Sequence, residues 1–545
     1  MRRSLKKMMA VGLTAAMTVG SISFQGLSVN AAGLPTTDGH NKYVNSEVFN
    51  VISDDSFGTK ELENPLFDKT TGSSDISNLQ VPTLAYDDTS IALVWDKPEK
   101  YDNVADYNVY VNGTLDGTAR KNYEENAKWA DTYMKSFYEY YETNSDVDMV
   151  NVDIHSYRAT GLTPDTEYTF KVVAVDKDGK ELGTAKEISQ KTTVKPEEFN
   201  ILDYGAVATE GYTSYNDEVN ALVEKNTKAI HAAIDACTPG GKVVIPQAEY
   251  GKVFVSGALW LKSDITVELD GTLWASPNSD HFEIGFLMYP FYTDTRGWGL
   301  LNATSADENA PLENIRITGN GTLYGNGWKY GAGDKMYEDG YTSNTGVNTQ
   351  AGDPSDTENY GLPRYMGGSN TKVYYYGIQA ADSAKKYLAN LTNEDGSRKY
   401  SDELINSLSG YIEKDLADNG KVDKNGKDKF IDVETGNNAG IEKADITNAY
   451  ATRSSLLIMR NVSNVYVGDV TVENPANHSV NILDSRNIST ENVKVFSYDG
   501  NNGDGLGFGC SQNVICWNNF TDTGDDNLGF GASVGEGARD SDIQT

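Results

Sequence analysis

Toward its end, the 545-residue sequence carries the runs NNGDGLGFG and TGDDNLGFGA, which set three carboxylates, Asp504, Asp525 and Asp526, in similar Gly/Asn-rich surroundings about one repeat apart. Carboxylates gathered this way can divide a hydrolysis between them. One stays protonated and gives its proton to a leaving oxygen, while another stays ionised and activates water from the opposite face. Crowding like charges raises the pKa of one member, which makes the division workable. On a regular strand Asp525 and Asp526 would face opposite sides, but behind Gly524 in a turn both can reach one groove. Residue types alone leave a calcium site or ordinary turn aspartates open.

Something must bring Asp504 beside Asp525, 21 positions later. The segments SNVYVGDVTVEN, RNISTENVKVFS and QNVICWNNFTDT align with Asn464, Asn487 and Asn513 in one column, at steps of 23 and 26. ENIRITGNGTLYG and SDITVELDGTLWAS have the same build, with Asn314 and Asp264 in that column. Each unit is a short strand of alternating apolar and polar residues followed by a Gly/Asn turn. Near-equal spacing above 20 residues predicts a solenoid, a right-handed parallel β-helix whose asparagine amides bond from coil to coil. One coil per period would then set the three aspartates on one patch.

From the start of the chain, Arg2, Arg3, Lys6 and Lys7 precede an apolar run that ends in small residues at Ala31 and Ala32, the pattern of a secretory signal peptide over residues 1–32. Its removal would take the formal charge from −33 to −37. No later segment is apolar enough to span a membrane, and so strong an acidic balance disfavours nucleic acid as a partner. Cys237, Cys510 and Cys516 have no metal-site spacing and allow at most one disulfide; buried thiols are the simpler reading. Residues 33–78 read as a linker.

Residues 79–194 change pattern. Trp95 lies on the alternating strand SIALVWDKP, and Leu162, Pro164, Thr166 and Tyr168 form L-x-P-x-T-x-Y. This resembles a fibronectin type III module with its tyrosine corner, a β-sandwich serving as spacer or docked cap. A Tyr-rich insertion follows Leu115, and its Phe137, Tyr138, Tyr140 and Tyr141 are expected to pack rather than to bind sugar.

The second domain, residues 197–545, opens with FNILDYGA. A helix with the stripe Ile230, Ala233, Ile234 and Cys237, capped by Asn226 or Thr227 and ended by Pro239-Gly240-Gly241, is expected to close the first coil. The repeat stops over about 329–452, an insertion with a helical patch near Ser383 to Leu408 that would wall one end of a groove. Its DNGKVDKNGKDKFIDVE run fails EF-hand spacing.

NGDG at Asn502 to Gly505 with GDD at Gly524 to Asp526 is similar to the N-T-D-G and G-D-D motifs of polygalacturonases, glycoside hydrolase family 28, and the wider text resembles the bacterial exo-acting branch with its fibronectin-like module. The resemblance implies inverting, end-directed hydrolysis of α-1,4-linked galacturonan by an exported monomer without metal or cofactor. It makes Asp525 the general acid, gives the water to Asp504 and Asp526, and leaves Asn502, Arg453 and His478 as candidate substrate contacts. Gly503 and Asn527 stand where the family has Thr and Cys. The family's later G-H-G and R-I-K motifs are absent from the 19 residues after Asp526, so a C-terminally truncated β-helix is expected. Their basic residues would hold a uronate carboxylate against the acidic net charge, and Arg453 and Arg460 are the remaining candidates. A calcium-dependent pectate lyase and a non-catalytic β-helical adhesin are the alternatives.

Overall fold

The computed structural model describes residues 72–126, 154–286, 295–307, 309–327, 378–405, 441–497, 502–523, 525–531 and 543–544. The signal-peptide segment, the 137–141 aromatic cluster and the calcium-loop-like run lie outside these.

Residues from Glu198 onward form a parallel β-helix. Each full coil contributes one strand to each of three sheets. The first sheet runs from Glu198–Asn200 through Gly241–Ile245, Ile265–Leu269, Leu312–Thr318, Val462–Gly468, Arg486–Glu491 and Gln512–Trp517 to Ile543–Gln544. The second runs from Phe254–Ser256 to Phe520–Thr523, the third from Leu259–Trp260 to Leu528–Gly531, and all their pairings are parallel. Inward-facing residues stack coil on coil: Ile265, Ile315, Val465, Ile488 and Val514 are in register and at most 1% exposed. Branched aliphatics suit such a column because they fill a pleated surface, and each contributes about 1.5–3 kcal/mol by burial.

Beside this apolar column runs the expected amide ladder. Asn314 Nδ2 donates to Asp264 Oδ1 at 2.7 Å, Asn464 to Asn314 at 2.8 Å, Asn487 to Asn464 at 2.9 Å and Asn513 to Asn487 at 2.8 Å. All five residues have φ between 53° and 63°. Asn and Asp tolerate this left-handed turn better than other side chains with a Cβ, and an amide both donates and accepts, so it can link the coils on either side of it.

The closing helix is Asp217–Ala236, and its cap lies ten residues before Asn226, the nearer of the two expected caps. Asn216 caps it, accepting from Val219 N, and Val219 and Val223 extend the buried stripe. Asn226 is instead fully buried in mid-helix, where its amide accepts from Val207 N and donates to the carbonyls of Val207 and Val255. A cap-type residue on the apolar face is tolerated there because each polar atom has a partner.

The antiparallel sandwich has sheets of three and four strands. Its first strand, Ser77–Gln80, starts two residues before 79. Trp95 is 4% exposed and meets Tyr107 edge-on, and Tyr168 Oη accepts from Thr163 N at 2.9 Å, the expected corner. The module is docked on four consecutive strands of the first sheet. Arg158 Nη1 reaches Asp469 at 2.5 Å, its Nη2 reaches Glu491 at 2.6 Å and donates to Tyr466 Oη at 2.8 Å. Arg316 donates to the Tyr86 carbonyl, Asn518 to Ser156 Oγ at 2.9 Å, and Leu84, Ala85 and Ala92 pack on Tyr466 and Trp517. Glu491 is only 4% exposed, so removing its cation leaves a buried uncompensated charge. Arg158→Ala should therefore lower stability by about 3–5 kcal/mol in urea unfolding, whereas a change within about 0.5 kcal/mol would show the contact to be incidental.

Candidate active site

The coils are irregular at one edge, the turn between the second and third sheets. The long insertion is an expansion of that turn, leaving strand Thr322–Tyr324 and returning at Leu457–Arg460. Its helices, Ile378–Ala389 and Lys443–Ala451, share a small core with Ala476, and Asp382 accepts from Ser279 N and Oγ at 2.8 and 2.7 Å. The insertion thus stands along the edge that also carries the candidate aspartates. Leu408 and the other residues of 406–440 lie outside the described residues.

Strand pairing sets the columns of this edge. Val480 is opposite Leu506, and Leu506 is opposite Leu528. Counting back two residues puts His478, Asp504 and Asp526 in line, so Asp504 is in register with Asp526 rather than with Asp525. Backbone bonds hold the stack: Ser479 N donates to Asp504 O at 2.8 Å, and Gly505 N to Asp526 O at 2.8 Å. Gly505 admits this approach, because a Cβ there would lie 2.4 Å from the Asn527 carbonyl. Thr523 Oγ1 donates toward the Asp525 carbonyl and lies 2.8 Å from Asn527 Oδ1, which shapes the tight turn that presents both aspartates.

His478 Nδ1 lies 3.2 Å from Asp504 Oδ2. Burial, then the nearby Arg296 and Arg453 cations, holds the imidazole well below its ordinary pKa. With the ring neutral, this contact is not an ion pair. Burial first, then the charges of Asp525 and Asp526, pushes Asp504 up to about 7, with Arg296 opposing. Asp525 is half-buried and Asp526 exposed. Asn502 Nδ2 donates to Asp525 Oδ2 at 3.3 Å, and Arg453 Nη2 donates to Asn502 Oδ1 at 3.0 Å.

Six of the seven residues singled out in the sequence thus fall on this edge. Arg460 does not: it sits at the far end of its strand, with Nε 3.1 Å from Asp484 Oδ2 and its guanidinium over Phe286. The sequence reading missed Arg296, whose field acts on both His478 and Asp504. It comes from an earlier expansion of the same turn, and only the flanking glycines of RGWG hint at close packing: Gly297 N donates to Thr452 O at 2.9 Å, and a Cβ at Gly297 would lie 3.3 Å from Ser454.

Fold and site together define a carboxylate-bearing parallel β-helix with a docked antiparallel sandwich. The fibronectin type III domain family matches residues 74–191, and the glycosyl hydrolases family 28 matches residues 401–540. An exo-poly-α-D-galacturonosidase of Dickeya chrysanthemi is 33% identical over 465 residues, which are 85% of this chain and 62% of that protein. The family 28 exopolygalacturonase of Yersinia enterocolitica is 34% identical, with a TM-score of 0.60 over 85% of this chain and 67% of that one. The chain belongs to glycosyl hydrolases family 28. It spans 62% of the length of the Dickeya protein.

The raised Asp504 makes folding stability depend on pH. An unfolded aspartate titrates near 4, so the folded chain binds this proton more tightly. The resulting stabilisation is complete below about pH 4 and is lost as pH rises to about 7. Asp504→Asn should remove that slope and leave the variant more stable than wild type at pH 8, by up to about 4 kcal/mol. Urea midpoints at pH 5 and pH 8 check this, and parallel profiles for the two proteins would contradict it.

Proposed function

We propose that the chain hydrolyses α-1,4-galacturonosidic bonds of polygalacturonate with inversion, acting from a chain end, as an exported monomer that uses no metal or cofactor. The observation that carries this reading is the cluster of three aspartates on one turn edge, one of them held protonated to about pH 7. The likeness to two exo-acting galacturonan enzymes supports the substrate class and the end-directed action. Arg296 supplies positive charge at the edge, so it is our candidate to meet the uronate carboxylate against a net charge of −33.

In the proposed step, water attacks the anomeric carbon from the face opposite the leaving oxygen. The new carbon–oxygen bond forms as the glycosidic one breaks, a carboxylate takes the water's proton, and a carboxylic acid protonates the leaving oxygen. Motif position makes Asp525 the acid, whereas in the unliganded protein the proton rests on Asp504. A sugar seated on the half-buried Asp525 strips its water, and desolvation raises a carboxyl's affinity for protons. Substrate binding thereby moves the proton from Asp504 to Asp525 and frees Asp504, with Asp526 in register beside it, to activate the water.

The test is incubation of residues 33–545 with polygalacturonate, once with calcium and once with EDTA, following reducing ends and ultraviolet absorbance. Reducing ends should accumulate without absorbance, and Asp525→Asn should slow their release by about 10²–10⁴-fold, the usual worth of a general acid. Absorbing products, lost in EDTA, would mean a calcium-dependent lyase. Binding without any products, unchanged by the substitution, would mean an adhesive β-helix.

A further inference from the structure

Arg453 is a cation at the candidate site, yet it is 6% exposed and spends a donor on a neighbouring side chain. Counting back four residues from the paired Leu457, Val480 and Leu506 puts Arg453, Ala476 and Asn502 in one column on three successive coils. Arg453 must therefore reach across two strand spacings, about 9.5 Å. It passes the coil that contributes only a methyl group, Ala476, itself 1% exposed.

The chemistry of this bridge sets its polarity. A guanidinium has donors and no acceptor, so Asn502 must turn Oδ1 toward Arg453. Its Nδ2 then faces Asp525 and donates to Oδ2. A donor fixed on Oδ2 holds the plane and direction of the Asp525 carboxylate. Flipping the Asn502 amide would set donor against donor at Arg453 and offer Asp525 an acceptor in place of a donor.

We propose that Arg453 is a positioning residue for Asp525: acting through Asn502, it holds the carboxylate in the orientation from which the proton is delivered. The inference rests on the hydrolytic reading above and deepens it. A donor held on Oδ2 also favours ionised Asp525 in the empty site, consistent with the proton residing on Asp504 until substrate arrives.

The relay is tested with Arg453→Lys, Arg453→Gln, Asn502→Ala and the double variant Arg453→Gln/Asn502→Ala, measuring kcat, KM and the pH profile of reducing-end release. The expected outcome is a fall in kcat of tenfold or more with KM changed less than twofold. The alkaline limb should move to higher pH, because losing the donor lets the cluster hold its proton more tightly. The double variant should be no slower than Asn502→Ala alone, since the two residues act as one path. Arg453→Lys should behave like Arg453→Gln, because a lysine cannot keep the planar fork on the amide oxygen.

Wild-type behaviour of Arg453→Lys would overturn the relay in favour of a simple charge effect, and additive losses in the double variant would also overturn it. A raised KM at unchanged kcat would make Arg453 a direct contact to the substrate carboxylate and likewise overturn it. If wild type releases no reducing ends, the hydrolytic reading fails, and the relay is read from the pH dependence of urea unfolding. Arg453→Gln and Asn502→Ala must then shift that profile alike. A wild-type profile in Arg453→Gln would refute the relay. Should Arg453→Gln not fold, Asn502→Ala alone decides, because an unshifted pH profile in that variant removes the link to Asp525.

Discussion

Everything at the functional edge depends on the registration of one coil upon the next. In a parallel sheet a slip of one residue would turn the inward column outward, and here it would also separate His478, Asp504 and Asp526. The asparagine ladder holds each first-sheet strand in phase. An amide in a left-handed turn must meet both neighbours, and the requirement repeats at Asn314, Asn464, Asn487 and Asn513. The turn edge lies away from this ladder and can vary in length without disturbing it, which is where the long insertion and the aspartates are found.

Charge is distributed unevenly over that edge. The chain carries net −33, yet two arginines brought by expanded turns act on His478, and one of them, Arg296, acts on Asp504 as well. Their effect differs by neighbour. They help hold His478 neutral, while at Asp504 burial and two aspartates outweigh Arg296. Acidity at one atom is thus the balance of desolvation against charge on a fixed backbone.

Much of the fold was legible because its constraints are local and repeat. The asparagine column, the alternating strands and the tyrosine corner each tie a residue type to a backbone geometry, and each is present in the structure. The placement of the three aspartates on one edge followed from the period. Their pairing did not: Asp504 aligns with Asp526 because the intervening turn is one residue longer than equal spacing to Asp525 suggests. Asn226 looked like a helix cap because the sequence does not reveal that Val207 and Val255 will surround it. Arg158 and Arg296 were missed for a related reason. Their partners lie hundreds of positions away, as in the 311-residue separation between Arg158 and Asp469, and no short pattern encodes such a contact.

The docked sandwich changes the character of the solenoid. A stack whose repeats touch only their neighbours behaves as a one-dimensional chain, free to fray from an end one coil at a time. Arg316, Tyr466, Glu491 and Asn518 belong to four successive coils, and all meet the same rigid module. Loosening any one of these coils therefore disturbs an interface shared with the other three. Those four coils and the sandwich should open as one cooperative unit, with hydrogen exchange at their centre governed by a single event rather than by distance from the nearer end.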